Sequence, residues 1–142
     1  MKEPPLTKVA FTDDQGDIET LWAFDLGNGQ YKLDNTPWYQ YGLSYQDIVA
    51  ASLRDGQLHF ERLVAKSGFR TLRVRAPEPV PQSLLDSLVS LGCKYEGARP
   101  TFIGIDVPAS VELSATVDLL EASGLEWEHA DPTYEQIHGS EA

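Results

Sequence analysis

The chain has 142 residues, 42% apolar and 23% charged, which is the composition of a folded globular protein of one domain or two small ones. Its 11 Lys and Arg against 22 Asp and Glu leave a formal charge of −11, which argues against a nucleic-acid binder, because such proteins present a dense basic face. No apolar run reaches the roughly 18–20 residues of a membrane span, MKEPPLTKVAF lacks the apolar stretch of a secretory signal, and one cysteine, Cys93, excludes an intramolecular disulfide. The expectation is a cytoplasmic protein with no metal and no cofactor.

The first half reads as strands. Lys8–Thr12 (KVAFT) is a short one, and DDQGD after it is a polar turn. Glu19–Leu26 places Leu21 and Ala23 on one side and Trp22, Phe24 and Leu26 on the other, the period of a strand. Gly27-Asn28-Gly29 supplies positive φ for a tight reversal into Gln30–Leu33. The clearest local signal is IVAASLR-DG-QLHFERLVA, a hairpin turning at Asp55-Gly56, a favoured type I′ pair. On its return strand Leu58 and Phe60 share a side that Leu63 does not, so a bulge or a change of face is expected. Ser67-Gly68 ends the run.

From Arg70 the texture changes. Thr71–Arg75 (TLRVR) alternates as a half-buried strand does, and Pro77, Pro79 and Pro81 then break it. Gln82–Leu91 sets Leu84, Leu85, Leu88 and Leu91 on one helical face, with Gly92 where a helix stop belongs. Cys93–Gly97 and Thr101–Val107 make two strands. Leu113, Val117 and Leu120 give a second helix up to Gly124. Leu125–Glu128 is a last strand, followed by a polar tail.

The predicted fold is therefore α+β. Residues 1–68 form a small SH3-like β-barrel, residues 69–130 a ferredoxin-like βαββαβ unit, and residues 131–142 a flexible tail. Both helices would cover one sheet face and leave the other open. Each half is marginal alone at this size, so the two are expected to share an interface.

Catalytic patterns are absent. His59, His129 and His138 have no HxH or HExxH spacing, and no Cys/His set suggests zinc. Cys93 follows a helix stop, the place of a small buried hydrophobe. Gly27 and Gly29 belong to a hairpin rather than to a phosphate-binding strand-to-helix turn. DDQGD lacks the full ligand run of a calcium loop. No catalytic residue and no enzyme is predicted.

The densest segment is Leu33–Val49, LDNTPWYQYGLSYQDIV, with Trp38, Tyr39, Tyr41 and Tyr45 around Pro37 and Gly42. It reads either as barrel core or as an interface, since Trp and Tyr give contact area with a polar handle. Alternation forbids all four from facing one core, so some are expected to pack on the second half. A candidate pocket here is rimmed by Asp34, Asn35, Trp38, Tyr41, Ser44 and Asp47. The same residues also suit a loop scaffold, because Asp, Asn and Pro organise turns.

ETLWA, YKLDNTPWYQYGLSYQDIV and SGFRTLRV together resemble an uncharacterised bacterial domain-of-unknown-function family with the pattern LWA, YxLDNxPxxxYGxSxxDIV and SGxxTLRV. The resemblance spans about residues 19–75. It implies no activity, but it implies that the aromatic loop and the TLRV strand belong to one structural unit.

Charge gives the functional lead. Residues 69–142 hold twelve acids and five bases, and from Cys93 onward ten acids face only Lys94 and Arg99. Glu112, Asp118 and Glu121 interrupt the apolar stripe of the second helix, and Glu126 and Glu128 share one side of the last strand, opposite Trp127. These five form a candidate acidic face for a basic partner such as a toxin or nuclease, which a field of this sign steers inward. The function expected is a non-catalytic binding module, an inhibitor or immunity-like regulator. The alternative is a small-molecule-binding or sensor domain using the ferredoxin-like half, which also offers a route to a homodimer, or the aromatic loop.

Overall fold

The computed structural model describes residues 4–139. Five strands fill the first half: β1 (Leu6–Thr12), β2 (Ile18–Gly27), β3 (Gln30–Leu33), β4 (Ile48–Arg54) and β5 (Gln57–Ala65). Each pairs antiparallel with the next, and β1 also pairs in parallel with β5 at Val9–Leu58 and Ala10–His59, which closes the ladder into a barrel. The inward alternates of these strands, Val9, Phe11, Leu21, Ala23, Leu33 and Val49, are its core. Both tight turns use paired left-handed residues, Asn28 (φ 56°) with Gly29 (74°) and Asp55 (51°) with Gly56 (78°). The register of β5 shifts at Glu61 and again at Val64: Ala50 pairs with Arg62 but Ala51 with Phe60, so Glu61 is left over and Leu63 comes opposite Val49, although it stays 38% exposed.

The second half holds β6 (Arg70–Arg75), α1 (Gln82–Leu91), β7 (Lys94–Arg99), β8 (Phe102–Val107), α2 (Leu113–Ser123), β9 (Glu126–Asp131) and α3 (Tyr134–His138). Its strands form one antiparallel sheet in the order β7-β8-β6-β9. Leu84, Leu85 and Leu88 of α1 and Leu120 of α2 pack on Leu72, Val74, Ile103, Ile105 and Val107 from one sheet face. Gly92 (φ 108°) ends α1, its N–H bonding the carbonyls of Leu88 and Val89, and Gly124 (φ 73°) ends α2. No helix among the described residues is long and apolar enough to cross a membrane.

Four expectations change. Leu91 is exposed rather than part of the buried stripe, because α1 stops there. The inward place on α2 is shared with a polar residue, the fully buried Thr116, whose Oγ1 lies 3.6 Å from Cys93 Sγ. The last strand runs on to Asp131, which is buried, and α3 follows under a capping box in which Thr133 N–H donates to Gln136 Oε1 and Gln136 N–H to Thr133 Oγ1. The expected tail from residue 131 thus holds the end of β9 and a capped helix, and residues 140–142 lie outside the described residues. Lastly, the second sheet face is not open. It presents Thr71, Arg73, Gly104, Asp106 and Asp131, all buried, and polar groups there require partners. The loop between β3 and β4 covers them.

Candidate functional site

That loop, residues 34–47, is anchored to the barrel first. Asp34 N–H donates to Trp22 O, and Trp22 N–H donates back to Asn35 Oδ1, so the pairing of β2 runs two residues past the end of β3. Glu19, buried at the base of β2, accepts the N–H groups of Trp38 and Tyr39 on its two carboxylate oxygens. Asp47 closes the far end. Its Oδ2 accepts Ser44 N–H at 2.8 Å and its Oδ1 accepts Ser67 N–H at 2.8 Å.

Three polar contacts then lock the loop to the sheet. At one end Lys66 Nζ pairs with both Asp47 and Asp131, while Ser44 Oγ bonds Asp131 and lies 2.7 Å from Thr71 Oγ1. At the centre Arg73, 1% exposed, donates to Pro37 O and Gln40 O, has Glu128 Oε1 3.1 Å from its Nε, and stacks on the Tyr41 ring. Burial lowers the pKa of this guanidinium, and Glu128, Tyr41 and Glu19 oppose that shift. Tyr41 in turn donates to Glu128 at 2.8 Å, and this bond, aided by burial, raises its phenol. At the other end Thr36 Oγ1 meets both oxygens of Asp106, and Thr36 N–H points to Glu96. Burial drives the Asp106 carboxyl up to about 7. Burial also raises Glu96. Between these contacts Trp38 rests on Phe102, ring centroids 5.9 Å apart, and on Gly104.

The candidate pocket of Asp34, Asn35, Trp38, Tyr41, Ser44 and Asp47 is therefore dispersed. Ser44 and Asp47 are wholly buried with their polar atoms engaged inside the protein, Asn35 extends a strand pairing, and Trp38 is a junction residue. Of the six, Tyr41 lines a pocket at the edge of the sheet. The acidic set also divides. Glu112, Asp118, Glu121 and Glu126 are exposed and form no salt bridge among the described residues, whereas Glu128 is held by Arg73 and Tyr41. Trp127 does point to the helix side, as alternation required.

A pocket of about 890 Å³ lies between α2, β9 and α3. Its walls are Tyr41, Val117, Trp127, His129 and Tyr134, with Glu121, Glu128 and Glu135 at hand. Trp127 and His129 meet edge to face at 4.9 Å, and Tyr134 stacks on His138 at 4.2 Å. Burial, with His138 adding to it, lowers the pKa of His129, and its Nδ1 has no hydrogen-bond partner among the described residues. The wall from α3 was not read from the sequence; its signal is the Thr133-x-x-Gln136 capping box. Among the described residues no group of three His, Cys, Asp or Glu is placed to hold a metal.

A family model described as a domain of unknown function (DUF4265) matches residues 19–129, well past the motif blocks and into both halves. No curated protein matches the chain. A solved structure described as a novel crystal structure of a hypothetical protein from Neisseria gonorrhoeae is similar over 94% of this chain and 98% of that one, with TM-score 0.76 and 21% identity. At that identity the likeness carries the fold alone.

Proposed function

The chain belongs to the DUF4265 family, and we propose that it is a non-catalytic binding module, an inhibitor or immunity-like regulator of a basic partner enzyme in the cytoplasm. In this reading the closed five-stranded barrel is SH3-like and the βαββαβ layer ferredoxin-like, which the strand order β7-β8-β6-β9 supports. The observation that carries it is the exposed set Glu112, Asp118, Glu121 and Glu126, at the start of α2, along it and on β9, which forms no salt bridge among the described residues. Carboxylates outside a salt bridge keep more of their field for an approaching partner, where they act mainly on association rate, and Glu126, across the strand pair from Arg75, keeps the least. The barrel serves as the support that holds the junction.

The test is paired capture from native cells at low salt, using the wild type and a Glu112→Lys/Asp118→Lys/Glu126→Lys variant that leaves the pocket residues alone. A basic protein held by the wild type, lost from the variant and released as salt shortens the Debye length to about 3 Å at 1 M supports the reading. The same proteins recovered from both, or none, would discard it.

A further inference from the structure

We propose that the cavity between α2, β9 and α3 is a binding site for a small organic cation, an alkylammonium, independently of any protein partner. Its volume of about 890 Å³ lies in the range of roughly 300–1,000 Å³ usual for small-molecule sites. Two of its aromatic walls, Trp127 and Tyr134, are side chains whose ring faces attract a cation, with Trp the strongest, while the third, Tyr41, already carries Arg73 on its ring. No lysine or arginine lines the cavity, and every carboxylate at its edge is repulsive to an anion. Glu128 is already matched by Arg73, so the uncompensated charges are Glu121 and Glu135, both exposed and free of salt bridges among the described residues.

Two further details point inward. Tyr134 is 57% exposed although it stands over the cavity, an apolar ring left facing water where a ligand would cover it. His129 also lines the cavity and braces the Trp127 ring edge to face at 4.9 Å. Burial lowers the pKa of the His129 ring, which disfavours a positive charge on it beside a positive guest. A hard metal ion is the wrong occupant, because the carboxylates do not converge into a ligand set. A quaternary or tertiary ammonium suits better: it is large, weakly hydrated and satisfied by ring faces.

The probes are choline and its uncharged isostere 3,3-dimethylbutan-1-ol, titrated against the full chain and followed by tryptophan NMR signals and calorimetry. Choline is expected to saturate with a dissociation constant of about 1 mM or tighter, and the alcohol to bind about tenfold more weakly or worse. Tyr134→Leu and Glu121→Gln alter exposed side chains, so both variants are expected to melt with the wild type. The first should abolish choline binding and the second should weaken it. Equal binding of the two probes, no saturation by choline, or choline binding that survives Tyr134→Leu would each overturn the proposal. None of these outcomes bears on the acidic docking surface, whose variant leaves every lining residue in place.

Discussion

Thr36 Oγ1 lies 2.9 Å from both carboxylate oxygens of Asp106, and a hydroxyl has only one proton to give. The second contact is satisfied when Asp106 is itself protonated and donates back to Thr36. This arrangement agrees with a carboxyl raised from 3.8 to about 7 by burial, against the pull of the Thr36 hydroxyl. Below about pH 7 the loop over the sheet is therefore fastened, at this end, by a neutral acid.

The pH dependence follows from that proton. Between about 4 and about 7 the folded chain keeps a proton on Asp106 that the unfolded chain has released. More protons bound in the folded state means that this group's contribution to stability falls as pH rises through that window. Glu96 is raised as well and slopes the same way, while His129, lowered by burial, slopes the opposite way. Both remain in an Asp106→Asn variant, whose amide offers Thr36 one acceptor and one donor as the neutral acid does. The variant is expected to exceed the wild type in stability at pH 8 by at least about 1 kcal/mol and to match it near pH 4. Urea unfolding at the two pH values checks this, and an unchanged difference between them would refute it.

Gly104 sets how closely the loop approaches. A Cβ built there meets Thr36 Cγ2 at 2.7 Å and the Trp38 ring at 3.0 Å, so the side chain is absent because another chain segment fills its place. Gly104→Ala is expected to cost about 1–3 kcal/mol through overpacking and to shift Trp38 emission toward that of a wetter ring. A variant that melts and fluoresces like the wild type would mean the loop can lift without loss.

Arg73 and Glu128 lend themselves to a double-mutant cycle. Removing Arg73 orphans the carbonyls of Pro37 and Gln40 and leaves Glu128, 40% exposed and screened by solvent, so Arg73→Met is expected to cost about 2–4 kcal/mol, chiefly through the two carbonyls. Glu128→Gln keeps a hydrogen-bond acceptor for Tyr41 and should cost less. The double variant should fall short of the summed losses by at least about 0.5 kcal/mol. Additive losses would show that the half-exposed Glu128 does not stabilise the buried guanidinium.

Local structure was legible in the sequence wherever it depends on neighbours in the chain. The Asp55-Gly56 turn, the stop at Gly92 and the misfit of Leu63 with Leu58 and Phe60 each need only a few residues of context. The covering of the sheet was not legible as a position, because it joins Thr36 to Asp106 across seventy residues of sequence. Its traces were present all the same. TLRVR and FIGIDV each set a charged side chain between inward apolar residues, and a strand buried on both faces carries charge only if something polar lies on top of it. An open face would have left Arg73 and Asp106 in water, and both are 1% exposed. The aromatic segment was read as divided between core and interface, and Trp38 and Tyr39 on Phe102 match the interface half of that division.

Lys66 offers the sharpest test of whether the barrel and the sheet behave as one unit. It leaves the end of β5 and places its ammonium between Asp47 of the loop and Asp131 at the end of β9, also reaching Gly42 O at 3.2 Å. Asp47 is fully buried and Asp131 nearly so, so Lys66→Met leaves two carboxylates facing each other with no cation between them. The loss is expected to be about 2 kcal/mol, below the roughly 3–5 kcal/mol of a fully enclosed pair, because the Lys66 side chain itself stays 39% exposed to screening solvent. Asp47→Asn combined with Lys66→Met removes one of the opposed charges and should recover part of that loss. In calorimetry the wild type should unfold in one transition, since neither half is large enough to be comfortable alone and polar contacts at both ends and at the centre of the loop bind them. Two resolved transitions in the wild type would show that the junction is contact without coupling. A Lys66→Met variant as stable as the wild type would show that the ammonium is a bystander to two carboxylates already satisfied by Ser44 and Ser67.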